Sequence, residues 1–205
     1  MYVAVEARNA ILAFAVPRFA AAAEYYRKGI DDSKARQVPA EKAAEELKDK
    51  VDTLIIGGGM AFTFLKAQGY EVGKSLWEPD RVQDALNILE TAKAENKTII
   101  LPVDHVVVSE FRADAPSDLV DNAHIPEDKM GMDIGPKTIE LIKTELEKAA
   151  TIFWNGPLGV FEMDAFSKGT CAIADVVAES KGMTIVGGGD TAAAVTKAGV
   201  ADKMG

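Results

Sequence analysis

Three glycine-rich stretches hold the residues best suited to chemistry. In the last of them the β-branched run Thr184-Ile185-Val186 meets Gly187-Gly188-Gly189, then Asp190-Thr191, then an alanine-rich segment. Glycines allow φ > 0 and let a ligand approach backbone N–H groups closely. A helix starting there adds unpaired N–H groups and a partial positive charge, a combination that suits an anion. Asp190 can hold a divalent cation or cap the helix, and Thr191 can donate to a phosphate oxygen. The first stretch, Gly57-Gly58-Gly59-Met60-Ala61-Phe62, offers a flat backbone surface suited to a planar ring. The middle one, Asn155-Gly156-Pro157-Leu158-Gly159-Val160-Phe161-Glu162, offers a tight turn and then a carboxylate that suits the paired hydroxyls of a ribose. A base platform, a ribose carboxylate and a phosphate nest add up to a nucleotide site. The plainer alternative is structural: glycines for tight packing, Asp190 as a helix cap, Glu162 as a solvated cap.

These stretches need elements to position them. Val51–Ile56, Thr98–Leu101, Thr151–Trp154 and Thr184–Val186 are short apolar runs, each ending at a breaker: Gly57, Pro102, Asn155 and Gly187. Helical patterns separate them over Met60–Gln68, Pro79–Asn96, Pro136–Ala149, Asp164–Ser180 and Thr191–Ala198. Apolar strands without alternation are buried on both faces. The fold class is therefore α/β, a Rossmann-like three-layer αβα sandwich around a mostly parallel central sheet. In such sheets ligands sit outside the carboxyl ends of the strands, so the glycine loops should line one crevice. His105–Ser109 could add a further short strand. Phe111–Asp128, polar and carrying Pro116 and Pro126, reads as an excursion outside the core.

The amino-terminal part is less legible. Ala10–Val16 is apolar and could be a buried strand or a helix, with Pro17 interrupting it. Phe19–Lys28 reads as helix, Asp31–Val38 as loop, and Ala40–Lys50 as a helix begun by Pro39 with lysines in its last turn.

Composition narrows the function. The 205 residues are 48% hydrophobic and 27% charged, enough for one domain with a full core, or a domain plus an appendage. A net charge of −9 repels nucleic-acid phosphates. The single cysteine, Cys171, rules out an internal disulfide framework and fits a reducing, cytoplasmic setting. No apolar run reaches the roughly 18 residues of a membrane span. Met1–Asn9 lacks the basic start of a signal peptide.

The stretches VDTLIIGGGMAFTFLKAQGYEVGKSL, LPVDHVV, KMGMDIGPKTIELI, IFWNGPLGVFEMDAFSKGT and IVGGGDTAAAV resemble the carboxyl-terminal, nucleotide-binding domain of phosphoglycerate kinases, from about Glu41 to Gly205. The resemblance implies reversible phosphoryl transfer between 1,3-bisphosphoglycerate and Mg-ADP, giving 3-phosphoglycerate and Mg-ATP. It implies that Gly57, Gly58 and Gly59 flank the adenine and that Gly131 closes the base pocket. Asn155, Gly156, Leu158 and Phe161 would line the nucleotide, and Glu162 would bind the ribose. Gly188, Gly189, Asp190 and Thr191 would meet the phosphates, with Asp190 reaching the magnesium.

The sequence also departs from that family. The family's amino-terminal domain, with its basic patch and catalytic arginine, finds no counterpart in Met1–Lys50. Its Gly-Gly-Ala-Lys loop, whose lysines neutralise the transferring phosphate, does not occur before Val51. Its final Gly-Gly-Gly-Ala-Ser loop does not occur before Gly205. Residues 1–38 stay unassigned and are expected to be helical, although Ile11–Val16 could stand in for the family's leading strand. Residues 39–205 form the expected nucleotide-binding domain. Three functions remain open: a kinase chain completed by a second polypeptide or domain that supplies the phosphoglycerate site, a nucleotide-binding remnant without turnover, and a structural fragment.

Overall fold

The computed structural model describes residues 52–204 and, ahead of them, the backbone of residues 10–14. The helices expected over Phe19–Lys28 and Ala40–Lys50, and the loop between them, lie outside the described residues.

The chain runs as β1 (Ala10–Phe14), β2 (Thr53–Ile56), α1 (Gly59–Ala67), α2 (Val82–Ala94), β3 (Thr98–Ile100), β4 (Asp104–Val108), β5 (Ser117–Asp121), β6 (Met130–Ile134), α3 (Pro136–Leu146), β7 (Thr151–Asn155), α4 (Lys168–Ala178), β8 (Met183–Gly187) and α5 (Gly189–Lys197). Five strands form one sheet in the order β3-β2-β1-β7-β8, and every pairing is parallel. Leu54, Ile55, Ile56, Ile152, Phe153 and Trp154 are all buried, as strands covered on both faces require. The connection from β2 through α1 and α2 to β3 moves toward one edge. The connection from β7 through α4 to β8 moves toward the other. Right-handed crossovers running in opposite directions place their helices on opposite faces, which gives the three layers. Among the described residues no helix is long and apolar enough to cross a membrane.

Of the two readings open for Ala10–Val16, the structure takes the strand. β1 is the central strand, with Leu12 opposite both Leu54 and Phe153. The helical expectation for residues 1–38 is thus corrected over Ala10–Phe14, and the sheet reaches across the boundary drawn between residues 38 and 39.

A second sheet, β5-β4-β6, is antiparallel. Within the stretch read as an excursion, β5 pairs with β4 while keeping a mostly exposed, polar sequence. In β6 the apolar Met130, Met132 and Ile134 alternate with Gly131 and Asp133, a short strand period masked by a glycine and an aspartate that disfavour strands. Asp104 joins this sheet to α3. Its buried carboxylate accepts hydrogen bonds from Lys137 N (3.0 Å), Thr138 N (2.8 Å) and Thr138 Oγ1 (2.6 Å), capping α3 from another strand.

Candidate nucleotide site

The strand register explains why the glycine loops meet. Phe14 lies opposite both Ile56 and Asn155, and Asn155 lies opposite Gly187. The loops that follow β2, β7 and β8 therefore leave the same edge of the sheet. The order turns back at the β1/β7 junction, since β2 and β3 lie to one side of β1 and β7 and β8 to the other. The carboxyl ends of two such strands frame the crevice in which doubly wound sheets bind ligands.

A pocket of about 500 Å³ opens beside that edge. Its walls come from Gly58 and Gly59 at the start of α1, Leu76 and Trp77, strand β6, and the loop Pro157–Val160. Gly58 has φ 62° and ψ −157°, a conformation that side chains oppose, and it starts α1 without a side-chain cap. Gly131 lies against the Phe62 ring, where a Cβ would come within 2.2 Å of Cζ. Its N–H donates to Ser75 Oγ at 3.0 Å. Gly57 is different. It is buried beneath Leu158, whose Cδ2 would lie 2.1 Å from an added Cβ, so Gly57 packs under the pocket and Gly58 and Gly59 face it.

The β8–α5 turn leaves the same sheet edge, and none of its residues lines the pocket. Gly188 (φ 87°) and Gly189 are exposed, and α5 begins with no side-chain cap. Asp190 is exposed in its first turn and caps nothing. Among the described residues its carboxylate has no hydrogen-bond or ion-pair partner. Thr191 departs from the sequence expectation. It is fully buried, and its hydroxyl accepts the Gly156 N–H beneath the β7–α4 loop. Trp154 Nε1 donates to Gly156 O at 2.8 Å. Thr191 and Trp154 thus shape the Asn155-Gly156 turn, and the Thr191 side chain does not face the crevice.

Phe161, expected along the nucleotide, is buried and is not part of the pocket wall. Glu162 is exposed two residues beyond Val160. Lys197 of α5 pins this segment, donating to Phe161 O (2.7 Å) and Glu162 O (3.3 Å) and pairing with Asp164 (2.5 Å). The ammonium holds the Asp164 carboxyl below its usual range.

Sequence reasoning passed over Asp133 and His105, which also line the pocket. Asp133 sits inside the quoted MGMDIGPK stretch, and His105 is one of two histidines. Asp133 accepts from Gly169 N (2.7 Å), in the first turn of α4, and from Ile134 N (2.9 Å). Burial pushes its carboxyl up to about 7, against the pull of those two N–H donors and of Lys168. A carboxyl raised in the folded state stabilises the fold fully below its unfolded value near 3.8, and that contribution is lost as pH rises to about 7. Urea unfolding at pH 5 and pH 8 should therefore show the parent losing stability between the two values relative to Asp133→Asn. Equal pH slopes in the two proteins would contradict this.

The family model described as Phosphoglycerate kinase matches residues 40–205. The phosphoglycerate kinase of Clostridium novyi is 54% identical over 158 residues, covering 77% of this chain and 40% of that protein. That of Borrelia turicatae is 51% identical over 160 residues, covering 78% and 41%. The solved phosphoglycerate kinase from Coxiella burnetii superposes with a TM-score of 0.77 at 46% identity, over 78% of this chain and 42% of that one. The chain thus spans about two fifths of the length of these relatives.

Proposed function

The chain belongs to the phosphoglycerate kinase family, and we propose that residues 39–205, together with strand β1, form its nucleotide-binding unit. The observation that carries this reading is the register that brings Gly57, Asn155 and Gly187 to one sheet edge beside the pocket. In this reading the adenine enters between Gly58–Gly59 and Gly131, with Leu158 behind it. Glu162 holds the ribose hydroxyls, its carboxylate being exposed on the segment that Lys197 pins. The uncapped start of α5 offers the Gly189, Asp190 and Thr191 N–H groups to the phosphates.

Mg2+ fits Asp190. This ion is usually held by one or two carboxylates, the substrate phosphates and water, and Asp190 presents one unengaged carboxylate beside the phosphate donors. When bound, the ion neutralises charge on the transferring phosphate. The chain's own groups then bind and orient ADP or ATP. The reaction they serve is transfer between 1,3-bisphosphoglycerate and ADP in cytoplasmic glycolysis, with the phosphoglycerate site supplied by a second polypeptide or domain.

Nucleotide titration of the 205-residue chain tests the reading. Asp190→Asn should weaken Mg-ADP binding and leave metal-free ADP nearly unchanged. Equal effects with and without magnesium would remove the metal role. Glu162→Ala should weaken ADP binding by about 1–3 kcal/mol, the loss of a hydrogen bond to a charged group. Unchanged binding would leave Glu162 as a solvated surface residue.

A further inference from the structure

The floor of the pocket carries an unpaired acceptor. Asn122 Nδ2 donates to Pro102 O at 2.7 Å, which fixes the orientation of the amide. Asn122 Oδ1 then faces His105 Nε2 at 2.6 Å. An amide oxygen only accepts, so Nε2 carries the ring proton. His105 is 2% exposed, and burial disfavours a second proton. Nδ1 is left as a bare lone pair, and among the described residues no donor reaches it. A buried acceptor without a donor is costly and uncommon in folded proteins. The ring lines the pocket beside Phe62, with 5.1 Å between ring centroids, and Phe62 in turn lies against Gly131. Because the ring lines the pocket, a donor that enters it would supply the missing partner.

We propose that His105 Nδ1 accepts a hydrogen bond from the exocyclic amino group of a purine bound in this pocket, so that His105 selects 6-amino over 6-oxo purine nucleotides. The inference rests on the nucleotide reading of the pocket and deepens it. A 6-oxo base presents an acceptor to an acceptor, and an unsubstituted purine presents nothing. Either leaves Nδ1 unpaired, whereas an amino group satisfies it.

The test is a titration of the 205-residue chain with Mg-ADP, Mg-IDP and the Mg complex of purine riboside diphosphate, which has hydrogen in place of the amino group. Fluorescence of Trp77, in the pocket wall, reports binding. ADP should bind roughly tenfold more tightly than either analogue, the effect of one buried neutral hydrogen bond. His105→Phe should lower ADP to the affinity of purine riboside diphosphate and leave that analogue unchanged. Nitrogen NMR of the parent supplies a readout that needs no variant. The unprotonated His105 nitrogen should shift with ADP and stay in place with purine riboside diphosphate. Equal affinities of the parent for ADP and that analogue, with an unmoved nitrogen signal, would overturn the proposal and leave the nucleotide site standing. Failure of all three diphosphates to bind would overturn both.

Discussion

Assayed alone with 3-phosphoglycerate and Mg-ATP, the 205-residue chain is expected to show no measurable turnover. Phosphoryl transfer depends on holding both reactants in line, and correct positioning can supply about 7–11 kcal/mol of the barrier. In the proposed reading the chain's groups orient only the nucleotide. The sequence contains no Gly-Gly-Ala-Lys loop to neutralise the transferring phosphate. Losing one preorganised charge-stabilising donor costs roughly a hundred-fold or more in comparable sites. Such losses compound, although not additively. Activity should return when a second polypeptide supplies the phosphoglycerate site. Turnover by the purified chain alone, abolished by Asp190→Ala in a preparation free of host enzyme, would refute this.

Trp154→Ala is expected to destabilise the fold by about 3–5 kcal/mol, the usual cost of emptying a large buried aromatic site. Trp154 is 1% exposed in β7, between the central strand and β8. Domains of this kind are stable by only about 5–15 kcal/mol, so the loss takes a large share of the total. The indole also fixes Gly156 O, so the effect reaches the loop that follows β7 and that the proposed reading places at the nucleotide. Trp154→Phe separates the two roles. It retains most of the ring, removes the N–H donor, and should cost about 1 kcal/mol while weakening ADP binding. The urea midpoint and an ADP titration measure both effects. A Trp154→Ala loss under 1 kcal/mol would mean that the strand does not depend on this side chain.

Four of the five parallel strands were legible because each is a short apolar run closed by a breaker. β2 and β7 are buried on both faces as that apolar character implies, whereas β3 and β8, at the two edges of the sheet, keep exposed residues. β1 was legible as apolar but not as a strand, because five or six apolar residues suit either period. Its partners, Leu54 and Phe153, lie far along the chain and decide the matter. The β5-β4-β6 sheet was largely hidden. β5 pairs through its backbone while its side chains stay polar and exposed, so hydrophobic patterning carries no trace of it.

The sequence by itself determined the three glycine loops, the edge they share, and the carboxylates Glu162 and Asp190 that could serve a nucleotide and its metal. Tertiary structure decided which residue within each loop faces the crevice. Gly57 packs beneath Leu158 while Gly58 and Gly59 line the pocket. Asp190 stands in solvent while Thr191, the next residue, is buried and holds Gly156. The reason is geometric. One step along a helix turns a side chain by about 100°, and one step along a strand turns it to the opposite face. Residue type and spacing set what chemistry is available. Only the register of the sheet and the angle at which each helix leaves it set which side chain receives the ligand, and packing alone left His105 Nδ1 bare at the pocket floor.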